Sequence, residues 1–275
     1  ACAVTSDGVL YAHKDQLFFI RRGGKNGLIP EGEQQLVDKD YAKGGNIEHK
    51  ANGLLLGRDN WYYSAKSKAR YRRIDSKWVK QSTAFRGQWG IAQDDAGRLY
   101  HNNNSTLLVG DNTRPNLYRK HTSYTPKHSI AKKIGSNRIY PIRMNPGVNR
   151  AYTGKILNKD GKLINCTAAA GMGIYRGENF PKGYYGSAFI SAPCGNLVKA
   201  IKIEQNTTNT PIGTFPYQEK EFLASTDEWF RPVNIYTAPD GTLWIIDMYM
   251  GLLQHKAYMT TYLRKQYVSR GLDKP

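Results

Sequence analysis

The sequence predicts an all-β fold, a β-propeller of four-stranded antiparallel blades. The 275 residues include 19 Tyr, 5 Trp, 8 Phe and 27 Gly, a balance that favours strands and tight turns over helices. Five segments repeat one pattern, in which an apolar run meets an Asp/Asn/Gly turn and then a second run rich in Leu, Trp and Tyr. They are AVTSDGVLYAHKDQLFFIRR, GLLLGRDNWYYSA, WGIAQDDAGRLYHNNN, NKDGKLINCTAAAG and IYTAPDGTLWIIDMY. A hairpin unit that recurs with weak identity marks a propeller or a similar repeated sheet.

Each segment reads as a hairpin because Asp-Gly and Asp-Asn pairs supply the positive φ that a two-residue or bulged loop needs. At roughly 40 to 50 residues a blade, the chain holds about five to six blades, fewer where loops are long. Between Asn102 and Ile139 periodicity fades and Pro, Asn and basic residues dominate. Long loops on a rigid sheet scaffold are where function tends to sit. From Asp247 to Pro275 the apolar residues fall near helical spacing, and Gly271 with Pro275 would end a helix, which predicts one short C-terminal helix. The expected organisation is a single propeller domain over residues 1–275, with the ring incomplete in this chain.

Lys and Arg outnumber Asp and Glu by 40 to 22, and between Arg114 and Lys162 there are 12 basic residues against the one acid Asp160. Such a region suits nucleic acid, an anionic polysaccharide, an acidic protein or an anionic cofactor, or else a solvated surface that maintains solubility. The three cysteines, Cys2, Cys166 and Cys194, form no Cys-x-x-Cys, so zinc-finger and c-type haem readings have no support. Cys166 and Cys194 suit either one disulfide or two buried thiols. No apolar run approaches the roughly 18 residues of a membrane span, and the start ACAVTSDGVLYAHKD lacks the basic-then-apolar pattern of a signal peptide. Because the chain opens directly on a strand-like segment, a leader or longer N-terminal region is expected before it.

Five blocks carry a family resemblance: NIEHKANGLLLGRDNWYYS, FRGQWGIAQDDAGRLYHNNNS, IYPIRMNPGVNRAY, IYRGENFPKGYYGSAFISAPCGNLVK and FLASTDEWFRPVNIYTAPDGTLWIIDMYMGLLQHKAY. They resemble, in family order and over essentially the whole chain, signature blocks of a bacterial membrane-bound dehydrogenase family. That family is similar to the soluble glucose/sorbosone dehydrogenases, six-bladed propellers that use pyrroloquinoline quinone (PQQ). The resemblance implies a further propeller segment before Ala1, a closing strand after Pro275 and often a cytochrome c domain. The expectation is a partial or processed propeller, or one completed by another chain.

The resemblance also implies a chemistry. Quinone-dependent sugar oxidation needs a base for the hydroxyl proton while a hydride leaves the neighbouring carbon, and an imidazole suits the first task near neutral pH. In the resembled enzymes the catalytic histidine precedes a Gly-Leu-x-x-Gly-x-Asp hairpin, and His49 stands in the matching place before NGLLLGRDN. Read from the residues alone, His49 equally suits a backbone-bonding role at a hairpin mouth. The carboxylates of PQQ call for fixed cations, and Arg86 in FRGQWGI occupies the expected place of a clamp, with Gln88 or Trp89 where the family's asparagine falls. Arg231 in EWFRPVNIY matches the second arginine of an Arg-x-Arg, but Trp229 replaces the first, a residue suited to stacking on a sugar ring or to a blade core. The family's lysine falls near Cys194 and Gly195, a further departure.

Calcium, the quinoprotein metal, leaves little side-chain signature. Glu48, Asp94, Asp95 and Asp111 are candidate ordering acids, more often turn or solvated carboxylates than ligands, and the metal set stays unassigned. His255 could face a partner's haem, though a lone histidine near an amphipathic helix is usually packed or solvated. Asn103, Asn104, Asn165 and Asn206 are sequons that matter only in a glycosylating pathway. The expected function is a periplasmic or secreted quinoprotein-like dehydrogenase that oxidises a sugar or alcohol and passes electrons to a cytochrome c or other acceptor. The alternative is a non-catalytic propeller binding an acidic protein or anionic glycan through the Arg114–Lys162 loops.

Overall fold

A computed structural model describes all residues except 47, 121–122, 124–130 and 273–275. It is almost entirely β, in five antiparallel sheets. Blade 1 contains β1 (Cys2–Val4), β2 (Gly8–His13), β3 (Gln16–Gly23) and β4 (Ile29–Asp38). Blade 2 contains β5 (Asn52–Leu56), β6 (Tyr62–Ala65), β7 (Ala69–Ile74) and β8 (Lys77–Ser82). In blade 3 the strands are β9 (Ile91–Gln93), β10 (Leu99–Asn103), β11 (Thr106–Asp111) and β12 (Ala131–Lys133). Blade 4 has β13 (Met172–Ile174), β14 (Ala188–Ala192), β15 (Leu197–Gln205) and β16 (Pro211–Thr214), with the short β17 (Leu223–Ala224) pairing the start of β15. Blade 5 is partial, with β18 (Pro232–Thr237) and β19 (Leu243–Asp247) alone among the described residues.

The first strand of each sheet packs on the first strand of the next, β1 on β5, β5 on β9, β9 on β13 and β13 on β18, which is the geometry of propeller blades around an axis. Alternation drives the stacking. In blade 1, Leu10, Leu17 and Phe19 point toward blade 2 and pack with Tyr41, Leu54, Tyr62 and Tyr71. The largest core lies between blades 3 and 4, where Tyr100, Leu107 and Leu108 meet Ile190, Leu197 and Ile201. Turn residues act as the sequence predicts at Asn60 (φ 61°) between β5 and β6 and at Gly241 (φ 82°) between β18 and β19.

The Asn158–Leu163 segment departs from expectation. Instead of a blade hairpin it makes one bridge, Leu157 to Leu163, inside the long connection between β12 and β13. Asn158 Oδ1 accepts from the N–H groups of Asp160 and Lys162 and closes the turn locally. The pairing continues only to the Ile164 N–H, which donates to Ile156 O, so the turn is a short loop hairpin whose Ile156, Leu157 and Leu163 pack on the core of blades 3 and 4 rather than forming a blade. Part of the Arg114–Lys162 basic region lies outside the described residues; Lys132 and Lys133 on β12 are exposed.

The expected tail helix is α1 (Thr261–Ser269). Thr260 caps it by accepting from the Leu263 N–H, and Gly271 follows with φ 66°. Leu263 and Tyr267, one turn apart, are buried with Leu272 against Trp229, Leu252 and Met259. No helix among the described residues is long and apolar enough to cross a membrane.

Candidate functional site

The connections that lead into the inner strands share one end of the blade stack, called the top here, with the turns between second and third strands. The hydrogen bonds repeat from blade to blade. Ala42 N–H donates to Asp15 O, Lys66 N–H to Arg86 O, Ala169 N–H to Asn104 O and Ser225 N–H to Asn196 O. Each connection thus crosses the preceding blade's middle turn before entering the next inner strand. His49, Arg86, Gln88, Trp229 and Arg231 all lie on these connections, at the same end.

They divide into two groups. His49 is half-buried, and its ring meets the Trp89 ring edge-on with centroids 5.6 Å apart. Trp89 Nε1 donates to Asn104 Oδ1 at 2.9 Å, and the Gln88 N–H donates to Asn102 O at 2.8 Å. Asn52 Nδ2 donates to Gln88 O at 2.7 Å, which joins the start of blade 2 to the approach of blade 3. His49, Gln88, Trp89 and Asn104 therefore form one contiguous, half-buried polar patch, called the mouth here. Asn46 belongs to it as well. Its Oδ1 accepts from the Glu48 N–H at 3.1 Å, which turns its Nδ2 toward His49 Nδ1, also 3.1 Å away. An amide nitrogen only donates, so Nδ1 accepts and the proton of neutral His49 sits on Nε2.

The two arginines are placed otherwise. Arg86 is 2% exposed between blades 2 and 3. Its Nη2 and Nε donate to Asp111 Oδ2 at 2.8 and 3.1 Å, and its Nη1 donates to Thr83 Oγ1 and Ala84 O. Burial raises the Asp111 carboxyl pKa against the opposing pull of Arg86. His101 is buried beside this pair, and burial, helped by the Arg86 charge, lowers it to about 4, so it is neutral. Arg231, also buried, donates to Pro193 O at 2.8 Å, Gly251 O at 3.0 Å and Met250 O at 3.2 Å. Trp229 packs with the α1 cluster and lies 6.0 Å from the Tyr249 ring. The expected cofactor contacts of Arg86, Arg231 and Trp229 are thus replaced by internal ones: an ion pair between blades, a strap on the tail and a helix-docking surface.

The candidate calcium acids do not gather. Glu48 Oε1 accepts from Gln254 Nε2 and from the His255 N–H, which draws the tail over the His49 loop and fixes His255 by its backbone. Asp111 is bound to Arg86. Asp94 accepts from the Arg98 N–H and the Tyr100 hydroxyl, and Asp95 pairs with Arg58 and Arg176, both in the turn between β9 and β10 at the opposite end. Among the described residues no three His, Cys, Asp or Glu side chains form a metal-binding group.

The geometry defines a β-propeller with a polar, histidine-bearing mouth at the top of its inner strands. The chain belongs to the family described as Domain of unknown function (DUF7133), which matches residues 1–274. It is similar to an uncharacterized protein of Borreliella burgdorferi, 26% identical over 238 residues that cover 80% of this chain and 60% of the relative. The match thus spans about 60% of that relative's length. Among solved structures it is similar to a Thermus thermophilus protein described as an oxidoreductase (glucose dehydrogenase), with a TM-score of 0.38, 12% identity and 86% of each chain covered. It is also similar to the PQQ-bound aldose sugar dehydrogenase of Streptomyces coelicolor, with a TM-score of 0.41, 13% identity, and 88% of this chain and 70% of that one covered.

Proposed function

We propose that this chain is the propeller of a dehydrogenase that oxidises a sugar or alcohol hydroxyl outside the cytoplasm, with the substrate at the His49 mouth. One observation carries the reading: His49 is held beside Trp89 at the top, half-open to solvent, rather than buried within a blade. An indole edge, two side-chain amides and an imidazole suit a polyhydroxylated ligand, because the ring packs on C–H faces while the amides and imidazole meet hydroxyls. His49 would take the hydroxyl proton. With Asn46 donating to Nδ1, this requires a change of tautomer or release of Asn46 before Nε2 can accept.

The hydride needs a two-electron acceptor, and the family resemblance names PQQ with calcium, reoxidised by a cytochrome or other acceptor. The residues present do not fit a PQQ clamp, because both candidate guanidinium groups are buried against protein partners and Trp229 underlies the helix. The same misfit favours a second reading, a binding propeller whose mouth or basic loops hold a glycan or an acidic partner without chemistry.

Reconstitution with PQQ and calcium, followed by cofactor absorbance and dye reduction over a sugar panel, separates the two. The dehydrogenase reading expects sugar-dependent dye reduction that His49→Ala removes. Sugar binding without dye reduction, under any quinone supplied, would move the assignment to the binding propeller.

A further inference from the structure

Cys166 and Cys194 come from different parts of the chain and meet in the interior. Cys166 lies in the long connection between β12 and β13, and Cys194 in the tight turn Pro193–Gly195 between β14 and β15. Both are buried, with Sγ atoms 3.8 Å apart. The two thiols are hydrogen-bond partners across the junction, and either sulfur can be the donor.

The turn that carries Cys194 joins several parts of the fold. Pro193 O accepts from Arg231, which also holds the tail through Met250 and Gly251. Asn196, wholly buried, donates to the carbonyls of Glu228 and Phe230 and accepts from Arg143. Blade 4, the long connection, the approach to blade 5 and the tail all converge there.

We propose that Cys166 and Cys194 are an oxidisable pair that closes to a disulfide across this junction, a covalent site independent of the dehydrogenase reading. Closing the bond shortens the sulfur separation by roughly 2 Å, to about 2.05 Å, within the reach of two loop residues. The chemistry balances as thiol–disulfide exchange with a small-molecule disulfide such as oxidised glutathione. One of the two cysteines, as its thiolate, attacks one glutathione sulfur and expels the other as thiolate. The second cysteine then loses its proton to the medium, attacks the first cysteine's sulfur in the mixed disulfide and expels the second glutathione. Two protein thiols are oxidised and one glutathione disulfide is reduced to two thiols. Because both sulfurs are buried, exchange belongs to folding, before the turn packs, and the closed bond then resists small reductants.

The test uses the chain with Cys2→Ser, which removes the exposed third thiol. It is refolded in a glutathione redox buffer and, separately, with reductant. The oxidised sample should show no free thiol after denaturation, and non-reducing proteolysis should yield the Cys166 and Cys194 peptides joined. Its Tm should exceed that of the reduced sample by on the order of 5 °C. The difference should vanish in Cys166→Ala, and should that variant fail to fold, the joined peptides still decide the matter. Two titratable thiols persisting in fully oxidising buffer, or a glutathione adduct on either cysteine that never resolves, would overturn the proposal.

Discussion

Asn46 controls what His49 can do. By fixing Nδ1 as an acceptor it leaves Nε2–H as a donor, which suits holding a hydroxyl oxygen and opposes taking its proton. Asn46→Asp reverses this, because a carboxylate accepts from Nδ1–H and frees the Nε2 lone pair. If His49 is the base, turnover should rise several-fold with little change in KM; if His49 only binds, affinity should fall instead. Steady-state kinetics on the same sugar panel separate these outcomes. Arg86 gives a second expectation. Arg86→Ala leaves Asp111 buried without its cation, at a cost of about 3 to 5 kcal/mol in urea unfolding. Arg86→Met combined with Asp111→Leu should recover most of that loss. The pairing was not legible in the sequence, because Asp111 lies 25 residues from Arg86 and only the stacking of blades 2 and 3 brings them together. His49, by contrast, was legible as a mouth residue, since the Asp59-Asn60 turn fixes the hairpin that follows it. The role of Asn46 was missed, although its position three residues before His49 was a readable signal.

At the scale of elements, the tail is held by a few polar residues rather than by the helix alone. Arg231→Ala would leave the carbonyls of Pro193, Met250 and Gly251 without their donor. The expected loss is about 2 to 4 kcal/mol, together with faster amide exchange through α1 than in blade 4. Glu228 adds a pH dependence. Burial pushes its carboxyl up, but hydrogen bonds and charge from Arg143 and Arg270 outweigh burial and bring it below the ordinary value of 4.5. A group depressed on folding contributes stability in full above its unfolded value and loses it as pH falls through the folded one. Docking of α1 should therefore weaken below pH 4.5, and Glu228→Gln should remove that part of the acid dependence in thermal scans. The helix was legible because Leu263 and Tyr267 repeat at one turn. Its strap was not, since a lone arginine before a hairpin carries no sign of where its guanidinium goes, and the family pattern pointed it at a cofactor.

For the molecule as a whole, the propeller was legible because turn chemistry and alternation recur in blades 1, 2, 3 and 5, whereas blade 4, turning at Pro193–Gly195, carries none of the repeated segments. The Asn158–Leu163 turn misled because its apolar flanks, Leu157 and Leu163, pack on the core from within a long connection instead of extending into blade strands. The seam between the last and first sheets has a physical consequence. Blade 5 buries Ile235 and packs the half-buried Leu243 and Ile245 against blade 4, while its other face leaves Tyr236, Trp244 and Ile246 open, with Trp244 61% exposed. Blade 1 is the mirror case, since Leu10, Leu17 and Phe19 face blade 2 whereas Val4 and Leu36 on the opposite face are 65% and 50% exposed. Two apolar sheet faces thus flank the seam, and β19 has an unpaired edge among the described residues. An open edge beside apolar faces is a template for strand pairing. These surfaces predict association between copies of this chain at the seam. Residues 1–275 expressed alone should then bind an apolar dye and self-associate with rising concentration. Trp244→Lys with Ile246→Lys should suppress both effects while changing the urea midpoint little, because neither side chain is buried in this chain. Unchanged self-association in that double variant, measured by sedimentation, would place the sticky surface elsewhere and leave the seam without a partner.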